Sequence, residues 1–157
     1  MMEEKEENGP EIYEYKEGDT YEGEWSTEGK KHGLGRIQFK NGTEYEGIFR
    51  NGVFHGFGTL FFEDGTTYEG EFYEGKFHGF GVYTRCDGMK YEGRFSDGNP
   101  NGAGLITFQD GSHGKPRQEG YFENKILIKG MDVSMELKKA RKSAERARTC
   151  KVGGKIT

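Results

Sequence analysis

Residues 45–67 read YEGIFRNGVFHGFGTLFFEDGTT, and the same phrase recurs along the chain. Tyr-Glu-Gly starts at Tyr21, Tyr45, Tyr68 and Tyr91, with spacings of 24, 23 and 23 residues. A degraded copy, Gln118-Glu119-Gly120, is displaced by an insert at residues 112–117. An aromatic residue follows two places after each glycine: Trp25, Phe49, Phe72, Phe95 and Phe122. Next come Gly29, Gly52, Gly75 and Gly98, then His32, His55, His78 or Asn101 before a glycine, and a second glycine at 35, 58, 81 and 104. Each unit closes on Asn41-Gly42, Asp64-Gly65, Asp87-Gly88 or Asp110-Gly111, with Glu17-Gly18 ahead of the first. Self-similarity at a fixed short period means that one small supersecondary unit is stacked repeatedly. Asn-Gly and Asp-Gly between alternating segments mark hairpin turns.

The repeat sets its own register. Ile37, Leu60, Tyr83 and Ile106 precede the turn, followed two residues later by Phe39, Phe62, Arg85 and Phe108. That apolar face must match the Tyr and Phe of the next strand. A three-residue turn ending in Gly, with a bulge, achieves this and sets Leu60 opposite Tyr68 and Gly58 opposite Gly70. A two-residue turn would slip the register by one and mix the faces. The chain is therefore expected to be an all-β repeat: an elongated single-layer antiparallel sheet of stacked β-hairpins with a C-terminal α-helix. Tyr, Gly and Phe at i, i+2 and i+4 share one face, and Glu22, Glu46, Glu69 and Glu92 point the other way. The glycines line up between rows of aromatics, which predicts a trough. A single layer also leaves that aromatic face without a cover, and apolar patches of such extent mark binding surfaces.

Composition narrows the alternatives. The 157 residues include 27 Gly and only 3 Pro, without a Gly-X-Y run, so the chain is not collagen-like. Leu, Ile, Val and Phe number only 28, a count associated with disorder, but the net charge of −4 and the 14% aromatics oppose that reading. No stretch approaches the ~20 apolar residues of a membrane span. The N-terminal MMEEKEENGPE is acidic where a secretory leader would be basic and then apolar. Two isolated cysteines, Cys86 and Cys150, suit a reducing compartment, so a cytoplasmic location is expected. Residues 129–157 carry nine basic and three acidic side chains; the remaining 14 basic and 24 acidic ones give residues 1–128 a net charge of −10. An acidic body repels phosphates, which argues against nucleic acid.

Three regions follow: residues 1–11, a flexible acidic N-terminus; 12–128, the repeat sheet with four near-complete repeats and partial caps; and 129–157, a basic helix with a frayed tail. Val133, Leu137, Ala140, Ala144 and Ala147 form a narrow apolar stripe at helical spacing, with Asp132 as N-cap. The stripe is expected to dock near the C-terminal repeats, with Ile126, Leu127 and Ile128 sharing the burial.

No catalytic constellation emerges, and no cofactor is implied. Equivalent histidines about 10 Å apart cannot share one metal ion. The Glu ladder reads as a solvated face rather than a set of paired catalytic carboxylates. Gly56-Phe57-Gly58 lacks the lysine and the strand–helix context of a phosphate cradle. The repeats leave no room for a catalytic domain.

The unit YEGxFxxGxxHGxG…DG, in four nearly full copies over residues 12–128, resembles the MORN repeat. Arg85, Asn101 and an extra residue at Ser26 or Thr27 are its departures. The ending at residues 110–124, followed by a basic Ala-rich helix, is similar to that of short MORN-repeat proteins associated with the tails of class III unconventional myosins in actin-rich cell projections. The resemblance implies a non-catalytic adaptor. Together with the residue pattern, it puts a peptide-binding groove at Tyr21, Trp25, Tyr45, Phe49, Leu60, Phe62, Tyr68, Phe72, Tyr91 and Phe95, with Glu46 and Glu69 drawing in basic groups. The alternative is a membrane- or lipid-associated organiser acting through the basic helix, whose charges attract anionic lipid.

Overall fold

A computed structural model describes residues 11–109 and 117–153. The acidic run 1–10, the Asp110-Gly111 turn, most of the insert and residues 154–157 lie outside them. Eleven strands follow one another in sequence order: β1 (Ile12–Glu14), β2 (Thr20–Trp25), β3 (Lys31–Gln38), β4 (Glu44–Arg50), β5 (Val53–Phe61), β6 (Thr67–Tyr73), β7 (Lys76–Thr84), β8 (Lys90–Ser96), β9 (Asn99–Thr107), β10 (Arg117–Glu123) and β11 (Ile126–Gly130). They form one open antiparallel sheet in which every strand pairs with its sequence neighbours. A single helix, α1 (Ser134–Thr149), completes the chain.

Two turn types alternate because the sequence supplies two chemistries. In the wide turn the Phe62 N–H donates to the Thr66 carbonyl at 2.8 Å and the Gly65 N–H to the Phe62 carbonyl at 3.0 Å. Gly65 takes the left-handed conformation there (φ +94°) that closes a three-residue loop. The Asp64 carboxylate accepts the Thr66 N–H at 2.8 Å, and these bonds hold its pKa below the usual carboxylate range. Leu60 pairs with Tyr68 and Gly58 with Gly70, as the repeat pattern predicts. The other turn is tight: Arg50 pairs with Val53 across Asn51 (φ +50°) and Gly52 (φ +87°). That turn sits inside the later repeats, whereas the extra residue of the first makes its internal turn a three-residue loop in which the Ser26 N–H donates to the Lys30 carbonyl at 2.8 Å. The Gly52 amide reaches back to the Lys31 carbonyl at 2.8 Å, tying one unit to the previous one.

The sheet has two different faces. One, the front, carries a continuous cluster of buried aromatic residues from Tyr21 to Phe122. The other, the back, carries the Glu ladder and is crossed by α1, which packs over β5 to β9. Leu105, Val133 and Leu137 make a small second core there, with Ala103 beside it.

Candidate functional site

The front face is built from one repeated device. Each repeat lays the hydroxyl-bearing edge of a Tyr ring over a glycine of the next strand: Tyr21 on Gly35, Tyr45 on Gly58, Tyr68 on Gly81 and Tyr91 on Gly104, so closely that a Cβ on the glycine would run into the ring. Each hydroxyl donates to a carbonyl three residues on, from Tyr21 to Glu24 at 2.6 Å and from Tyr68 to Glu71 at 2.7 Å. Burial, with the Glu24 charge adding, pushes the Tyr21 pKa up to about 12, and burial raises those of Tyr45, Tyr68 and Tyr91 as well. Edge-to-face contacts carry the stack from repeat to repeat: Tyr21–Phe49 at 5.3 Å, Tyr45–Phe72 at 5.1 Å, Tyr68–Phe95 at 5.0 Å and Tyr91–Phe122 at 5.3 Å. Each such pair adds roughly 0.5–1.5 kcal/mol beyond simple burial.

The expected trough is therefore filled. The glycine row does run unbroken across the sheet, but the Tyr rings of the same face occupy the space above it. The aromatic rows need no outside cover to become dry: Tyr21, Tyr45, Tyr68 and Tyr91 are 0% exposed. Phe49, Phe72, Phe95 and Leu60 are buried with them.

Among the described residues this face opens in two places: at its N-terminal end, beside the exposed Tyr13 and Trp25, and in a cavity of about 360 Å³ over the third and fourth repeats. Phe62, Phe77, Tyr83, Met89, Pro100 and Ile106 line much of the cavity, and Arg85 and Lys125 stand at its rim. Its position has a cause in the sequence. Phe54 and Phe77 stack on Tyr45 and Tyr68 at 3.9 and 4.0 Å, but the corresponding residue beside Tyr91 is Pro100, which cannot fill the same volume. Arg85 stands where the neighbouring repeats carry Phe39, Phe62 and Phe108, and turns to a two-point pairing with Asp87 at 2.7 and 2.9 Å. The departure at Arg85 opens the aromatic floor where the cavity lies.

Of the residues assigned to the groove, Phe62, Tyr91 and Phe95 line this cavity. Trp25 stands apart at the N-terminal end, 42% exposed, with its ring 4.8 Å from that of Tyr21. Glu46 and Glu69 are on the back face, and both are taken by the tail. Glu46 accepts Lys151 Nζ at 3.2 Å and the Val152 N–H at 2.9 Å, and Glu69 accepts Arg148 at 3.1 Å. Glu92 accepts Arg141 Nε at 2.8 Å. The solvated-face reading of the ladder is thereby corrected, because Glu46 and Glu92 are buried beneath the tail.

The helix docks on the sheet as expected: Val133, Leu137, Ala140, Ala144 and Ala147 are all buried, with Val133 and Leu137 against Leu105 of β9. They pack on the back face, and the tail reaches beyond the C-terminal repeats as far as Glu46 on β4. Val133 occupies the cap position, and Asp132, one residue earlier, accepts the Ser134 N–H at 3.1 Å. Ile126 and Ile128 remain exposed instead of sharing the burial, and only Leu127 packs into the front cluster. The signal for the docking face was present in the slot after the second glycine. It reads Arg36, Thr59, Val82 and Leu105, growing more apolar toward the end where the helix begins. Tyr83, Met89 and Pro100 were not singled out as cavity residues, since a cavity arises from a missing ring rather than from a motif.

The histidines serve the sheet. His32 Nδ1 accepts the Asn51 N–H at 3.4 Å, and the rings of His55 and His78 lie 5.5 and 5.4 Å from Tyr73. Among the described residues no group of three or more His, Cys, Asp or Glu side chains could hold a metal ion. No helix among them is long and apolar enough to cross a membrane.

Comparison with known proteins agrees with the repeat pattern. The MORN repeat profile matches residues 21–44, 45–67, 68–90 and 91–113, which is more than half of the chain. A Drosophila melanogaster protein named "MORN repeat-containing protein 4 homolog" is 46% identical over 41 residues. Those residues make up 26% of this chain and 21% of that protein, so the match spans about a fifth of the relative's length.

Proposed function

The chain belongs to the MORN-repeat family, and on that premise we propose that it is a non-catalytic adaptor receiving a peptide in the front-face cavity. One observation carries the reading: the aromatic face, sealed by its own rings along the middle of the sheet, opens over the third and fourth repeats, where half-buried Phe62, Phe77, Tyr83 and Met89 surround about 360 Å³ of open space. Concave, mainly apolar sites with a few charged groups at the rim are the usual form of a ligand-binding site. Buried aromatic anchors in such a pocket dominate binding energy.

The proposed partner is the tail of a class III unconventional myosin, and the proposed setting is the cytoplasm of actin-rich projections. The support is the likeness of residues 110–124 and the basic Ala-rich helix to retinophilin, a short MORN-repeat protein. The lipid reading has weaker support, because the apolar stripe of the helix is spent on the sheet.

Calorimetry of the full chain with a class III myosin tail fragment tests the proposal. Substituting the fully buried Tyr45, Phe49 or Tyr68 would damage the fold itself, so the informative pair is Tyr83→Ala with Met89→Ala, both half-buried and lining the cavity. The expected result is saturable binding that weakens on the order of tenfold or more in the pair, with an unchanged sheet signal in circular dichroism. Unchanged affinity in the folded pair would move the site elsewhere, and no binding by the parent chain would remove the myosin partner.

A further inference from the structure

The two flanks of α1 carry basic residues with different fates. On one flank, Arg141, Arg148 and Lys151 beyond the helix end each hold a carboxylate of the Glu ladder. On the other, Lys139, Lys142 and Arg146 recur at i, i+3 and i+7, a spacing that puts them on one side of the helix. This side borders a cleft of about 220 Å³ whose floor is made by Phe57 and Phe80. Lys139 Nζ lies 5.5 Å from the Phe80 ring centre, Arg94 from the sheet lies 5.6 Å from the same ring, and Arg146 lies 5.5 Å from Phe57. Among the described residues none of these four cations is in an ion pair with Asp or Glu. The carboxylates nearby are Glu71, which accepts the Phe80 N–H at 2.7 Å, and Glu136 at the far end. Beyond Phe80 the shelf continues past Arg94 to the exposed Tyr121.

We propose that this shelf between the sheet and the free flank of α1 is a second docking site, for an acidic peptide segment of a partner protein. The argument is charge complementarity on a shallow shelf. Four cations with no carboxylate partner among the described residues stand beside two half-buried rings, in a molecule whose body has a net charge of −10. A long polyanion such as nucleic acid would have to cross that acidic body, whereas a short segment stays on the shelf. A bilayer is flat and would rest on the outer face of the helix, which stands as a ridge above the cleft floor. An extended peptide can enter the cleft, setting its acidic side chains against Lys139, Lys142 and Arg146 and its apolar atoms against Phe57 and Phe80. Rings flanked by exposed cations suit such a mixed ligand, since one surface offers both apolar contact and positive charge. The shelf is on the face opposite the front cavity and does not depend on the proposal made for it.

The test uses the full chain and a labelled hexaglutamate peptide, read by fluorescence anisotropy at low ionic strength and mapped by amide chemical shifts. Saturable binding is expected, with shifts at Phe57, Phe80, Lys139, Lys142 and Arg146. Lys139→Glu with Arg146→Glu should weaken it on the order of tenfold. The control pair Lys16→Glu with Lys40→Glu changes net charge equally but lies off the shelf, in turns at the N-terminal end, and should change affinity less than about twofold. Tyr83→Ala with Met89→Ala should leave it unchanged. An equal loss in the control pair, shifts confined to other residues, or no saturable binding would overturn the proposal. So would binding to phosphatidylserine vesicles that depends on Lys139 and Arg146 while hexaglutamate does not bind.

Discussion

The front and back faces of this sheet solve the same problem differently. A single layer must remove its apolar surface from water without a second sheet. The front does it within the repeat: each Tyr ring covers a glycine, and each Phe meets the Tyr of the preceding repeat edge-on. The back has no such device, and it becomes dry only where α1 lies across it. The front core is therefore periodic and spread over the whole repeat region, while the back core is local and depends on one segment. The difference teaches that repeat stability and tail docking are separable, and that a gap in the front requires a break in the repeat.

The largest effect expected from breaking this contrast is alkaline. Tyr21 has an ordinary pKa of 10, raised to about 12 in the folded chain, and Tyr45, Tyr68 and Tyr91 are raised by the same burial. The folded state holds these phenols protonated. Their contribution is full below pH 10, where the unfolded chain is also neutral, and declines as pH rises from 10 toward 12. The four core tyrosines should ionise together with the loss of sheet circular dichroism, followed by tyrosinate absorbance. Ionisation of all four near their ordinary pKa with the sheet intact would contradict the self-sealed front.

A smaller effect separates the faces. Leu137→Asp removes one buried side chain from the back core and places a charge there, costing roughly 1.5–3 kcal/mol of docking from burial alone. Amides of residues 134–149 should then exchange like free peptide, because an undocked helix of this length is marginal in water. Strand amides around Tyr45 and Tyr68 should keep their protection. Loss of strand protection in parallel would show that the front also needs the helix.

The smallest effect concerns the Glu ladder. Arg141→Ala leaves the Glu92 carboxylate, only 6% exposed, without its guanidinium. It should weaken helix docking by about 1 kcal/mol, since the Arg side of the pair is solvent-exposed. Arg148→Ala, whose Glu69 partner is more open, should cost less. Helix exchange rates in both variants, with and without added salt, rank the two pairs.

Much of the front was legible in the chain. Asp64-Gly65 and its equivalents imposed the three-residue loop, and that loop length alone put Leu60 opposite Tyr68. The apolar stripe of α1 was equally plain, because helical periodicity is a local property. The filled trough was not legible: alternation says which face Tyr45 occupies, but not that its ring lies over Gly58 with its hydroxyl on the Ile48 carbonyl. Nor was the docking face of the helix. Glu46, Glu69 and Glu92 look solvated in a strand read by itself, and only the return of Lys151, Arg148 and Arg141 across the sheet gives them partners.

From the sequence by itself came the strand count per repeat, the register, the unbroken glycine row and the extent of the tail helix. All of these follow from turn chemistry and from periods of two and 3.6 residues, which act between neighbours along the chain. The tertiary structure alone decided that the Tyr rings close the trough, that α1 lies on the Glu face, and that a cavity opens beside Pro100. These depend on ring direction and on volumes summed across strands far apart in sequence. A missing ring becomes a cavity only when the neighbours that fail to fill it have been brought into place.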